Sequence, residues 1–187
     1  QETEEFTEYL CVPKLIATAR YKVHEYPLDV AGKSPEELKK LSLMVQNASF
    51  AQDKIGASPF IVKTDCRMNE EQTYYYEISR YQDESSLRSK LRQKTFKQTD
   101  KISIILDVAN ALKVAHKEQV YHRDVCPENI FVYEGGKAAL ANFGMAWFVE
   151  HSDLSFTVKK DTNIKSPYTA PEFIEGDVCS GSDIFAL

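Results

Sequence analysis

The sequence predicts an α+β chain in two lobes: a small β-rich N-terminal lobe with one long helix, then a mostly helical C-terminal lobe. Three observations predict it. Strand-like alternation and a single capped helix fill the first half of the chain. The polar segment Gln82-Asp83-Glu84-Ser85-Ser86 then interrupts the pattern as a linker. A long helical repeat and a glycine hairpin follow, before residues 142–181, which show little periodicity and read as a functional loop.

Each element has its own signal. Residues 1–14 form an acidic N-terminal segment, residues 15–82 the first lobe and residues 83–187 the second. From Leu15 to Tyr26, Ala17, Ala19, Tyr21 and Val23 alternate with Thr18, Arg20, Lys22 and His24, a strand closed by Pro27. Ser34-Pro35-Glu36-Glu37 carries a helix N-cap, a first-turn proline and capping-box acids. Leu38, Leu41, Val45, Ala48 and Ile55 continue at helical spacing to a stop at Gly56. Strands are expected at Phe60–Lys63 and Thr73–Ile78, joined by polar residues 67–72. Leu87–Leu91 predicts a short helix. Asp100–Lys117 predicts a long one, with Ile102, Ile105, Leu106, Ala109, Leu112 and Ala115 on its buried face. Asn129–Tyr133 and Lys137–Ala141 read as a hairpin about Glu134-Gly135-Gly136.

Composition narrows the function. With 187 residues, 43% hydrophobic and 27% charged, the chain can bury a core. Its net charge of −5 argues against nucleic acid as a partner. No apolar run approaches a membrane span, and the N-terminus lacks a signal-peptide pattern. Cys11, Cys66, Cys126 and Cys179 form no metal-binding pair, which suits a reduced, cytoplasmic setting.

The chemistry concentrates in Tyr121-His122-Arg123-Asp124-Val125-Cys126-Pro127-Glu128-Asn129. Asn142-Phe143-Gly144, Ala170-Pro171-Glu172 and Ser182-Asp183 follow in that order. Together they resemble the H-R-D-x-x-x-x-N, D-F-G and A-P-E segments of eukaryotic-type Ser/Thr protein kinases, and the helix beyond them. The region around Lys22 and the capped helix looks most like the bacterial eukaryotic-like members. The resemblance spans residues 15–187 and implies ATP with Mg²⁺ or Mn²⁺ as cofactors, a protein substrate or partner, and a role in signalling.

Carried over residue by residue, it makes Asp124 the group that accepts or orients the proton of the incoming hydroxyl. Asn129 and Asn142 become metal ligands, and Lys22 the contact to the α- and β-phosphates. Ser79 stands near the gatekeeper, with Arg80-Tyr81-Gln82 offering hinge backbone to adenine. Arg123 would receive a phosphate from Thr157, Thr162, Ser166, Tyr168 or Thr169. Asp183 would hold the catalytic loop, His122 would be structural, and Cys126 an ordinary half-buried thiol.

Departures from the family pattern bear on activity. Asn142 replaces the metal-binding aspartate, giving up a full negative charge toward a dication. Cys126 stands where most Ser/Thr kinases have lysine, and Arg20 where alanine lies under adenine, to obstruct the base or stack on it. Between Leu38 and Ile61 the one acid is Asp53, so the helix offers Lys22 no well-placed glutamate. No G-x-G-x-x-G exists, and Leu187 falls within an expected helix, so the kinase-like domain reads as truncated, incomplete at both ends. These losses predict a pseudokinase. The alternative is an active atypical Ser/Thr kinase; a third class, small-molecule phosphotransferases, lacks the A-P-E segment.

Overall fold

The computed structural model describes residues 7–14, 19–28, 34–71, 73–81, 84–93, 98–150 and 166–187. Leu15–Thr18, Gly32, Gln82, Thr157 and Thr162 lie outside the described residues.

Four strands form the first sheet: β1 (Thr7–Cys11), β2 (Tyr21–Pro27), β3 (Thr64–Met68) and β4 (Tyr74–Arg80). They pair antiparallel in the order β1-β2-β4-β3. Helix α1 (Pro35–Ile55) connects β2 to β3 and begins just past Ser34. Gly56 ends it at φ 72°, a left-handed conformation open to glycine, with its N–H on the Gln52 carbonyl. Val45, Ala48 and Ile55 are buried along α1, joined by Asn47 and Ala51.

The second lobe opens with β5 (Glu84–Ser86), α2 (Leu87–Gln93) and α3 (Gln98–Lys117). Strand β6 (Val120–Tyr121) pairs with β9 (Trp147–Phe148). Between them, β7 (Ile130–Tyr133) and β8 (Ala138–Leu140) form the expected hairpin, and β5 adds to its open side. Gly135 and Gly136, at φ 82° and 77°, turn it. Helices α4 (Pro171–Glu175) and α5 (Ser180–Ala186) complete the chain. No described helix is long and apolar enough to cross a membrane.

Four expectations need correction. The acidic start supplies an edge strand, β1, because Thr7–Cys11 finds a full partner in β2. Phe60–Lys63 is not a strand; only Ile61 bridges, parallel to Leu140, and β3 lies in the polar stretch after it. The linker contains β5, whose pairing to β7 depends on residues far along the chain. On α3, Ile104, Val108, Ala111, Leu112 and Ala115 are buried, while Ile102, Ile105 and Leu106 are more than half exposed. The helix carries aliphatic residues nearly all round, so periodicity alone could not choose the buried stripe.

The core runs through both lobes. Ala51, Ile55 and Ile61 pack in one cluster with Val108, Leu112, Leu140 and Phe148. Phe50 meets Phe148 edge-on, with ring centroids 4.8 Å apart. Backbone bonds from Val62 to Leu140 and from Leu140 to Phe60, each 2.9 Å, tie the two sheets.

Candidate functional site

The loop from Tyr121 to Asn129 is held from below. Asp183, on α5 and 1% exposed, accepts the backbone N–H of His122 at 2.8 Å and of Arg123 at 2.7 Å. His116, in the last turn of α3, donates its Nε2–H to the same carboxylate at 2.8 Å. Burial alone would raise the Asp183 pKa; these donors outweigh it and hold the group below the ordinary carboxylate value. His122 is fully buried. Its Nε2–H donates to the Ala141 carbonyl, and its Nδ1 accepts the Asp124 N–H, which fixes a neutral tautomer.

Above this base, three polar side chains form a chain of contacts. Asn129 donates from Nδ2 to both the Asp124 carbonyl and Oδ2, each at 2.8 Å. Its Oδ1 therefore faces away, and Asn142 donates to it from Nδ2 at 3.1 Å. Asn142 stands at φ 65°, a left-handed conformation that Asn and Asp tolerate better than most residues. Burial raises the Asp124 pKa, with the Asn129 hydrogen bond opposing it.

A cavity of about 530 Å³ opens between this cluster and the first sheet. Lys22 and Ser79, opposite each other on β2 and β4, line it together with Asn129 and Asn142. The Lys22 ammonium lies 5.2 Å from the Phe131 ring centroid, a cation–π contact across the cavity floor. From α1, Ala48 and Gln52 face the same space, and Asn47 donates to the Gly144 carbonyl.

Residues 33–187 match the protein kinase domain family. The chain belongs to that family. It is 33% identical over 122 residues to a probable serine/threonine-protein kinase of Dictyostelium discoideum, covering 63% of this chain and 18% of the relative. Serine/threonine-protein kinase CHK1 of Saccharomyces cerevisiae is 26% identical over 181 residues, 94% of this chain and 32% of that protein. Serine/threonine-protein kinase PknD of Mycobacterium tuberculosis is 38% identical over 107 residues, 56% of this chain and 16% of its own length. The chain thus spans a third or less of these relatives.

The remaining predicted residues of this kinase domain are distributed unevenly. Arg80 ends β4 with its side chain in a different cavity, while Arg20 is exposed and does not line the cleft. The Arg20 carbonyl accepts the Tyr81 N–H at 2.9 Å, joining the start of β2 to the segment after β4. Arg123 lies over Phe173 at 5.0 Å and Trp147 at 5.6 Å, and burial lowers its pKa to about 10. It shares a 270 Å³ cavity with Asp124, Ser166, Tyr168 and Thr169. Burial pushes the Cys126 thiol up to about 11, so it stays protonated at neutral pH. Glu172 accepts the Ser182 hydroxyl at 2.8 Å.

Sequence reasoning missed His116, Phe131 and Asn47. His116 and Asn47 are single polar residues on helices, and their partners sit 67 and 97 positions away. Phe131 could have been found: it is the inward alternate of Asn129 on the chain entering β7.

The domain's family implies ATP and a divalent metal. The donor set here does not suit the metal. The two residues that would hold it, Asn129 and Asn142, are both neutral amides, and the Asn129 oxygen already receives the Asn142 amide hydrogen. Magnesium prefers carboxylates and phosphate oxygens, so two amides facing each other are a poor replacement.

Proposed function

We propose that this kinase domain has weakened or lost phosphotransfer and works as a pseudokinase in regulation or scaffolding. One observation carries the reading: the Asn142 amide hydrogen points at the Asn129 oxygen, where a dication would need to be. The pair satisfies itself without metal. Phosphoryl transfer depends on charge neutralisation more than on covalent chemistry, so this loss falls on its largest contribution. Lys22 contributes by binding rather than by activation, with Ser79 and the hinge backbone of Arg80 and Gln82 contacting the base. Asn142 is at most a weak ligand beside Asn129.

The active alternative rests on Asp124, whose raised pKa and position beside the Ser166–Thr169 cavity suit a proton-accepting group. In this reading Arg123 would take a phosphate from those hydroxyls. Two measurements separate the readings. A thermal-shift titration with ATP, with and without Mg²⁺ or Mn²⁺, is expected to show a small, metal-independent rise. Radiolabel transfer from ATP is expected to be slower by about 10²–10³ than for a domain with the full metal site. Robust transfer that disappears in Asp124→Asn overturns the pseudokinase reading.

A further inference from the structure

A second cavity, of about 520 Å³, shares Val62 in its lining with the first. Its floor is apolar: Pro59, Ile61, Val62 and Ala139, with Ile61 and Ala139 buried. Its lining includes three cations from three separate places, Lys63 before β3, Arg80 ending β4 and Lys137 leading into β8. All three are solvent-exposed, and none enters an ion pair among the described residues. Glu134 is the one acid in the lining. In a chain of net charge −5, this cavity reverses the overall sign.

We propose that it docks an acidic peptide segment of a partner protein, with an aspartate- or glutamate-bearing stretch against the cations and an apolar side chain on the floor. This goes beyond the weakened-kinase reading and uses the Arg80 side chain, while that reading uses only the Arg80 backbone. The two halves of the lining fix the ligand class. Exposed cations at a rim steer and select acidic partners while each contributes modest affinity. An apolar floor offers nothing to a small inorganic anion, but it removes an aliphatic or aromatic side chain from water. The cations come from both lobes, Lys63 and Arg80 from the first and Lys137 from the second, so an occupied cavity would bridge them.

The test is fluorescence anisotropy with four probes and no nucleotide, so its outcome is independent of the nucleotide reading. They are a labelled peptide alternating aspartate with leucine and phenylalanine, the same peptide with asparagine for aspartate, an all-aspartate peptide, and inorganic phosphate as competitor. The acidic-apolar peptide is expected to bind about tenfold tighter than either other peptide and to resist millimolar phosphate. Arg80→Gln alone should weaken it about 2- to 5-fold. The triple Lys63→Glu, Arg80→Glu, Lys137→Glu should weaken it at least about tenfold, while Lys113→Glu, on the exposed side of α3, changes it less than about twofold. Equal binding of the asparagine peptide overturns the proposal, as does an effect of Lys113→Glu matching Arg80→Gln. Displacement by phosphate, or equal binding of the all-aspartate peptide, reduces the cavity to a simple anion site and overturns the peptide assignment.

Discussion

The floor of the loop from Tyr121 to Asn129 and its roof are built to different standards. Below the loop, Asp183 takes His122, Arg123 and His116, and the His122 ring uses both its nitrogens. Above it, Asn142 and Asn129 satisfy each other, and the Lys22 ammonium rests on a ring. The floor hydrogen bonds are needed to fold the loop at all, because unpaired backbone donors there would be buried. The roof contacts involve fewer buried backbone donors and tie side chains to one another.

The largest effect that would sharpen this contrast is expected at Asp183. Asp183→Ala removes the acceptor of the His122 and Arg123 backbone N–H groups and of the His116 ring, and should cost about 3–5 kcal/mol in urea unfolding. Because the folded pKa of Asp183 is depressed, its contribution is present above the unfolded value near 4 and lost as pH falls through the folded one. A loss below ~1 kcal/mol would mean that the floor is not what holds the loop. Asn129→Ala should come next, at about 1–3 kcal/mol, since it removes both bonds to Asp124 and leaves the Asn142 amide without its acceptor.

The sequence made some of this legible and hid the rest for definable reasons. The ordered motifs located Asp124, Asn129, Asn142 and Asp183 because each sits in a short segment of recognisable residue types, although the Asp183 contacts span 60 to 67 positions. The hairpin at Gly135-Gly136 was legible because adjacent glycines readily take two successive positive φ angles. Strands β3 and β5 were not. In β3, Thr64, Cys66 and Met68 alternate with Asp65 and Arg67, but there is no strongly β-forming residue beyond Thr64. Glu84-Ser85-Ser86 is too short and polar to alternate, and both are strands through their partners. The buried stripe of α3 was misplaced by one residue at its start, Ile105 for Ile104, because both positions are isoleucine.

The roof is tested by restoring charge. Asn142→Asp keeps a side chain that tolerates the left-handed backbone and exchanges the amide donor for a carboxylate. Without metal it places an acceptor against the Asn129 oxygen, so the variant should be less stable by about 1 kcal/mol. With Mg²⁺ and ATP it should gain about tenfold in apparent nucleotide affinity by thermal shift. An unchanged, metal-independent shift would place the obstruction elsewhere in the cleft, with the Lys22–Phe131 contact the next position to vary.

The smallest effect concerns the edge of the first sheet, where the roof begins. His24 on β2 bonds Glu8 of β1 at 3.0 Å and lies 3.8 Å from Glu77 of β4. Burial alone would lower its pKa, but the two carboxylates outweigh that and raise it. A raised pKa means that the protonated ring stabilises the folded sheet. That contribution is complete below the unfolded value near 6.5 and disappears as pH rises through the folded one. Lys22 and Tyr26 share that face, and His24 is the one histidine among the described residues lining it. Wild type should therefore exceed His24→Gln in stability by about 0.2–1 kcal/mol at mildly acidic pH and converge with it in mild alkali. A difference that grows as pH rises would show that the ring acts in its neutral form, and would detach β1 from any electrostatic control.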